Sequence, residues 1–175
     1  MDFEALLNIR QSCRSFSGQP LPHDEIEACL EAARLAPSAC NAQPYHLTVC
    51  TGALGEQVGA CTRGMGMNKF TEQVPCFVVF VEQSYNMTAA MGSRVKAQDY
   101  RSVDIGIAAA QLTLAAAARG VASCILGWFD EKKLQALLGT KERIRLVVAL
   151  GYASEGYPVR PKKRKSMSEL ADFRE

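Results

Sequence analysis

Three stretches of this 175-residue chain carry residue types and spacings that could do chemistry. The first is Ala32-Ala33-Arg34-Leu35-Ala36-Pro37-Ser38-Ala39-Cys40-Asn41-Ala42-Gln43-Pro44-Tyr45, where a helix gives way to a strand. Pro37 cannot continue the helix, because it lacks an N–H and disfavours helical geometry at Ala36. Ser38, Ala39 and Cys40 are small enough for a ligand to approach the backbone, and Asn41 and Gln43 offer amide donors and acceptors. The second stretch sets Arg10 and Arg14 four apart, with the hydroxyl of Ser12 between them. The third is the cationic run Arg160-Pro161-Lys162-Lys163-Arg164-Lys165. Forked guanidiniums and clustered ammoniums suit a phosphate. In an extended segment Lys162 and Arg164 point the same way. Each stretch also has a plain reading: an ordinary turn, a solvated helical face if the first helix runs on through Arg14, and a solvated tail.

Other chemistries find little support. The seven cysteines (Cys13, Cys29, Cys40, Cys50, Cys61, Cys76 and Cys124) include no Cys-x-x-Cys pair and no zinc-ligand spacing with a histidine, so no metal is expected. The two histidines, His23 and His46, have no partner in the sequence and read as structural. Cys40 and Cys124 read as packing rather than as nucleophiles. Arg63-Gly64-Met65-Gly66-Met67-Asn68 is glycine-rich, but no strand leads directly into it and no Gly-Lys-Ser/Thr follows, so it is not a phosphate loop.

The elements that must position these residues follow from periodicity. Asp2 caps a first helix to about Asn8, and a second helix runs from Asp24 to Leu35 with Ile26, Cys29, Leu30 and Ala33 at helical spacing. Strands are expected at Tyr45–Cys50, at Cys76–Val81 (a continuous apolar run, buried on both faces), at Val121–Leu126 and at Ile144–Leu150. Between them fall a short helix at Gly55–Cys61, a long helix at Asp99–Arg119, and a helix capped by Asp130 that ends at Leu138. Val103, Ile107, Ala110, Leu114 and Ala117 mark one apolar face of the long helix, but alanines fill most of its other sides. Such a helix is expected to be deeply packed, against its own core or a second copy of itself. Ser84–Lys96 lacks a pattern and reads as loop with some helix, its methionines and Tyr85 being candidates for a substrate-facing surface. Residues 1–175 then form one domain, with 153–175 as an extended basic tail, and strands separated by helices give a three-layer α/β arrangement.

A net charge of +2 is too small to imply a nucleic-acid partner, and the tail has no interleaved aromatics on which bases could stack. No apolar run approaches the ~20 residues that cross a bilayer. The acidic start Met1-Asp2-Phe3-Glu4 is wrong for a secretory leader, and the unpatterned cysteines suit reduced thiols in the cytoplasm.

Taken in order, Arg10-x-Ser12-x-Arg14, then Ala33-Arg34-x-Ala36-Pro37-Ser38-x-x-Asn41-x-Gln43-Pro44, then the basic tail, the chain resembles the nitroreductase family of FMN-dependent oxidoreductases from about Ile9 to Leu170. The resemblance implies a central mixed, largely antiparallel sheet flanked by helices. It also implies an intertwined homodimer with FMN at the interface. Arg10 and Ser12 match the positions that hold the phosphate, joined by Lys162 and Arg164, and Arg14 matches the position nearest the pyrimidine edge of the ring. Pro37, Ser38, Ala39 and Asn41 match the turn against the ring, with Asn41 serving the partner's cofactor. Ile125, Leu126 and Gly127 match the segment whose backbone N–H groups reach N5 and O4. The implied activity is hydride transfer from NAD(P)H through the flavin to a nitro, quinone or similar acceptor, with no catalytic side chain required. Reductive dehalogenation, flavin breakdown and non-catalytic FMN binding are the alternatives. Gln11 departs from the basic residue that many relatives carry there, and Asn68-Lys69 lie in no clear register with a cofactor-contacting pair of larger relatives.

Overall fold

The computed structural model describes residues 2–85 and 99–175. Helix α1 (Phe3–Ile9) starts at Asp2, whose Oδ1 accepts from Ala5 N at 2.8 Å. It stops at Arg10, and residues 10–17 run extended beside the sheet: Cys13 N donates to Ser123 O at 2.8 Å, and Ser17 N to Tyr152 O at 2.9 Å. Arg10 and Arg14 therefore do not share a helical face, contrary to the solvated-helix reading. The core explains the switch, because Cys13 and Phe16 are buried and pull this segment against the sheet.

Helix α2 (His23–Arg34) leads through the Pro37 turn into β1 (Tyr45–Thr51), followed by α3 (Gly52–Thr62) and β2 (Cys76–Glu82). The long helix α4 spans Arg101–Ala118, then come β3 (Ala122–Leu126), α5 (Glu131–Leu138) capped by Asp130, and β4 (Ile144–Gly151). Beyond Ala153 the chain is largely irregular, apart from a one-turn helix α6 (Met167–Leu170). The predicted glycine–methionine loop contains a 3-10 turn at Gly64–Gly66.

The strands lie in the order β1-β2-β4-β3, with all three ladders antiparallel; the parallel element is the isolated bridge between Ser12 and Ser123. All seven residues of β2 are buried, as its apolar run predicts. Its alternate residues feed two cores. Cys76, Val78 and Phe80 pack with α2 and α4, while Phe77, Val79 and Val81 pack with Val58 of α3 and Leu134 of α5. This is the expected three-layer arrangement.

Two predicted features need correction or relocation. The buried face of α4, packed against α2 and the sheet, is Ile105, Ala108, Ala109, Leu112 and Ala116, together with Asp104 and Thr113. The helix is not packed on every side as expected: the apolar face marked by Val103, Ile107, Ala110, Leu114 and Ala117 is exposed or half-buried, with Val103 at 48% exposure. Alanine on every side left the two faces indistinguishable by hydrophobicity, and two polar residues lie on the buried one. Of the predicted Ser84–Lys96 surface, residues 86–98 lie outside the described residues. Tyr85 is described, and its Oη donates to Asp99 Oδ1 at 3.1 Å. Arg101 and Arg145 join Asp99 to the buried Glu82, with Arg101 Nη1 2.7 Å from Glu82 Oε1. Arg101, through its hydrogen bond, holds the Asp99 carboxyl at about 2, below its ordinary value.

Candidate functional site

The parallel bridge at Ser12 sets the geometry of the site. Ser12 lies beside Ser123, which sets the Arg10–Arg14 segment at the edge strand β3, before the chain reaches Tyr152 and Ala153 through Ser17 and Phe16. Cys13 points into the core, Arg14 is exposed, and the half-buried Ser12 hydrogen-bonds the thiol of the buried Cys124. The strap formed by residues 158–164 lies against the same segment. Arg10, Gln11, Ser12, Arg14, Arg160, Pro161, Lys162, Lys163 and Arg164 line one cavity of about 550 Å3. Two of the three predicted stretches, about 150 residues apart in sequence, therefore form one cationic cradle.

Among the described residues, none of Arg10, Arg14, Lys162, Lys163 or Arg164 pairs with a carboxylate. Lys162 Nζ donates to Arg10 O, and Arg164 Nη1 to Lys163 O at 2.7 Å. These contacts hold backbone and leave the positive charge uncompensated. An ammonium has three donors, so Lys162 retains two for an incoming anion. Burial, then the neighbouring charges of Arg10, Arg164 and Arg160, push the Lys162 amine below its ordinary value. The ammonium is charged below that lowered value and neutral above it. Affinity for a phosphate ligand should therefore fall as pH rises through it, with a proton taken up on binding in that range. Titrating FMN affinity against pH, with riboflavin as the control for ring ionisation, checks this. Lys162→Arg, which stays charged throughout, should flatten the fall.

The Pro37 turn is built tightly. Ala36 N donates to Ala33 O at 3.2 Å, closing α2, and Ser38 Oγ accepts from Gln43 N at 3.0 Å. Asn41 N donates to Ser38 O at 3.0 Å, and Gln43 Nε2 reaches back to Asn41 O at 3.1 Å. Cys40, Asn41 and Gln43 all have positive φ, at 51°, 50° and 45°. Asparagine adopts that region readily, but cysteine and glutamine do so at a cost of ~1–3 kcal/mol each. One anchor comes from α4: the buried Asp104 accepts from Ala39 N through Oδ1 at 3.1 Å, while its Oδ2 has no partner.

Pro37, Ser38, Ala39 and Asn41 do not line the cationic cavity. At the end of β3, Ile125 is exposed, Leu126 is buried, and a Cβ placed on Gly127 would meet nothing within 4 Å. A flat ligand could therefore reach the backbone there. Asn68 ties the glycine–methionine turn to this end, donating through Nδ2 to Trp128 O and Thr62 O, both at 3.2 Å. A larger cavity of about 890 Å3 lies between α2 and the β1 edge. It contains none of the predicted site residues and only uncharged or acidic groups beside His23, so it is the wrong chemistry for an anion.

Three contributors escaped the sequence reading: Gln11, Tyr157 and Arg160. Gln11 bonds the strap at Pro158 and Arg160, and Tyr157 Oη accepts from Arg14 N at 3.1 Å. The only available signal was that Arg160 opens the basic run.

Five of the seven thiols are buried and poorly placed for chemistry, whereas Cys40 is exposed on the Pro37 turn, contrary to its reading as packing. Burial pushes Cys29 and Cys50 up to about 11 and Cys76 to about 12, and it also raises Cys13 and Cys124. Among the described residues no His, Cys, Asp and Glu cluster could hold a metal ion, and no helix is long and apolar enough to cross a membrane.

In comparisons with known proteins, residues 7–63 and 55–152 match the nitroreductase family. The oxygen-insensitive NADPH nitroreductase of Helicobacter pylori is 28% identical, over 83% of this chain and 85% of its own. The iodotyrosine deiodinase of Drosophila melanogaster is 25% identical over 94% of this chain and 67% of its own. Among solved structures, the FMN-dependent nitroreductase NfnB from Mycobacterium smegmatis, in complex with NADPH, superposes with a TM-score of 0.78 at 21% identity, covering 98% of this chain and 97% of that one.

Proposed function

Because the chain belongs to the nitroreductase family, we propose that it is an NAD(P)H-dependent oxidoreductase that holds FMN in the cationic cradle and reduces a nitro, quinone or similar electrophile. The observation that carries this reading is the cradle itself. Cations from residues 10–14 and 160–164 converge on one cavity without carboxylate partners, which suits a group with nearly two negative charges. Bound FMN would supply hydride transfer between the nicotinamide and the acceptor.

The chain's own part is binding and orientation. Arg10, Ser12, Lys162 and Arg164 hold the phosphate. Arg14, one step further along the same segment, places a cation at the pyrimidine edge, where negative charge accumulates on reduction. The backbone of Ile125, Leu126 and Gly127 offers N–H donors to the N5 and O4 edge. The Pro37–Asn41 turn, held rigid by Asp104, lies outside the cradle of its own chain. In this reading its Asn41 serves the cofactor of a second copy, and the protein works as a homodimer in the cytoplasm.

The purified protein should be yellow, and anaerobic NADH or NADPH should bleach it. Adding a nitroarene or a quinone should bring the colour back. A yellow protein inert to both nicotinamides would mark a non-catalytic flavin binder, and a protein that takes up no FMN would overturn the proposal. The similarity to a deiodinase favours reductive dehalogenation as the second reading. It predicts that a halogenated phenol reoxidises the bleached protein with release of halide, while nitroarenes and quinones do so poorly.

A further inference from the structure

We propose that Gln11 and Arg160 form a latch, two positioning residues that fix the 158–164 strap against the Arg10–Arg14 segment so that cations from both converge on one anion. The anion's identity rests on the FMN reading above. The strap lies beside an extended segment, an arrangement that would normally be joined by a backbone ladder. Pro158 and Pro161 lack N–H groups and cannot complete one. The Gln11 side chain takes the place of the missing peptide group. Its Nε2 donates to Pro158 O at 2.9 Å, and its Oε1 accepts from Arg160 N at 3.1 Å and from Arg160 Nε at 3.2 Å.

Arg160 completes the clasp. Its Nη2 donates to Ser12 O, and its guanidinium carbon lies 5.9 Å from the centre of the Tyr157 ring. Both Gln11 amide atoms and two of the three Arg160 guanidinium nitrogens are therefore committed to the protein. Lys162, by contrast, commits one donor. A neutral amide also suits position 11 electrostatically. Where many relatives carry a basic residue, Gln11 adds no further charge to the uncompensated cluster of Arg10, Arg14, Lys162, Lys163 and Arg164.

The two of these hydrogen bonds that reach the strap backbone, at Pro158 O and Arg160 N, set the expected size, so Gln11→Ala should raise the FMN dissociation constant roughly 10-fold and leave riboflavin binding unchanged. Arg160→Ala should do the same. The double variant should be no worse than the worse single one, because the two residues act as a unit. A second measurement needs no flavin: trypsin should cut the apo-protein after residues 162–165 faster in Gln11→Ala, with cleavage elsewhere unchanged. Additive losses in the double variant would make Arg160 a direct anion ligand and overturn the latch. Unchanged FMN affinity together with unchanged tryptic cleavage in Gln11→Ala would also overturn it. If the parent takes up no FMN, only the flavin reading fails, and the tryptic comparison still decides the latch.

Discussion

Replacing Lys162 and Arg164 together by alanine should weaken FMN binding by about two to four decades, because each charge-assisted hydrogen bond to the phosphate contributes ~1.5–3 kcal/mol. Riboflavin, which lacks the phosphate, should bind the variant and the parent about equally. Both cations line the cradle, and both are anchored through backbone carbonyls rather than carboxylates, so no released acidic group offsets their loss. The fold should survive, since the strap lies outside both hydrophobic cores. Fluorescence titration of each flavin, with circular dichroism as the control, checks the prediction. Unchanged FMN affinity would mean that the strap is merely solvated.

The second large effect concerns assembly. One chain leaves Val103, Ile107, Ala110, Leu114 and Ala117 exposed or half-buried along α4. About 100° round the same helix from Val103, Asp104 holds the Pro37–Asn41 turn. A second copy packed on the stripe would bury apolar surface and bring its own turn to a neighbouring cradle. Ala110→Glu tests this without touching the monomer's core, because Ala110 is exposed in the single chain. Burying an unpaired carboxylate in an apolar interface costs several kcal/mol. The variant should therefore run at one-chain mass in light scattering, and it should lose FMN and NAD(P)H oxidation together. Dilution of the parent should do the same, because a ligand that binds only the dimer stabilises the dimer. A one-chain species that retains FMN and turns over NAD(P)H would show a site complete in one subunit.

The strands and most helices were legible because period and capping speak locally. β2 announced itself as a run of apolar residues, and Asp2 and Asp130 cap as their positions suggest. The Pro37 turn was legible because proline and small polar residues restrict it. The packed face of α4 was not, since alanine gives a helix no orientation and its buried face includes Asp104. The extended course of residues 10–14 was hidden by a four-residue arginine spacing that fits a helix equally well; the burial of Cys13 and Phe16 decides it. Arg160 showed only as the first cation of the basic run and Gln11 only as a neutral residue at an often basic position; neither pointed to the other. A contact spanning 147 residues between Gln11 and Pro158 has no periodicity to read, and its partners are a neutral amide and a backbone carbonyl.

That long reach bears on how the protein is made. Arg10 to Arg14 precede the four strands of the sheet in the chain, and their counterparts at 158–164 follow all four. The cradle therefore cannot close until β4 has been made, whereas the two cores need nothing from residues 158–164. Anion capture is in that sense uncoupled from folding. If the cradle holds FMN, a chain without flavin would be a folded apo-protein, and a protease trimming the strap would erase the site while sparing the fold.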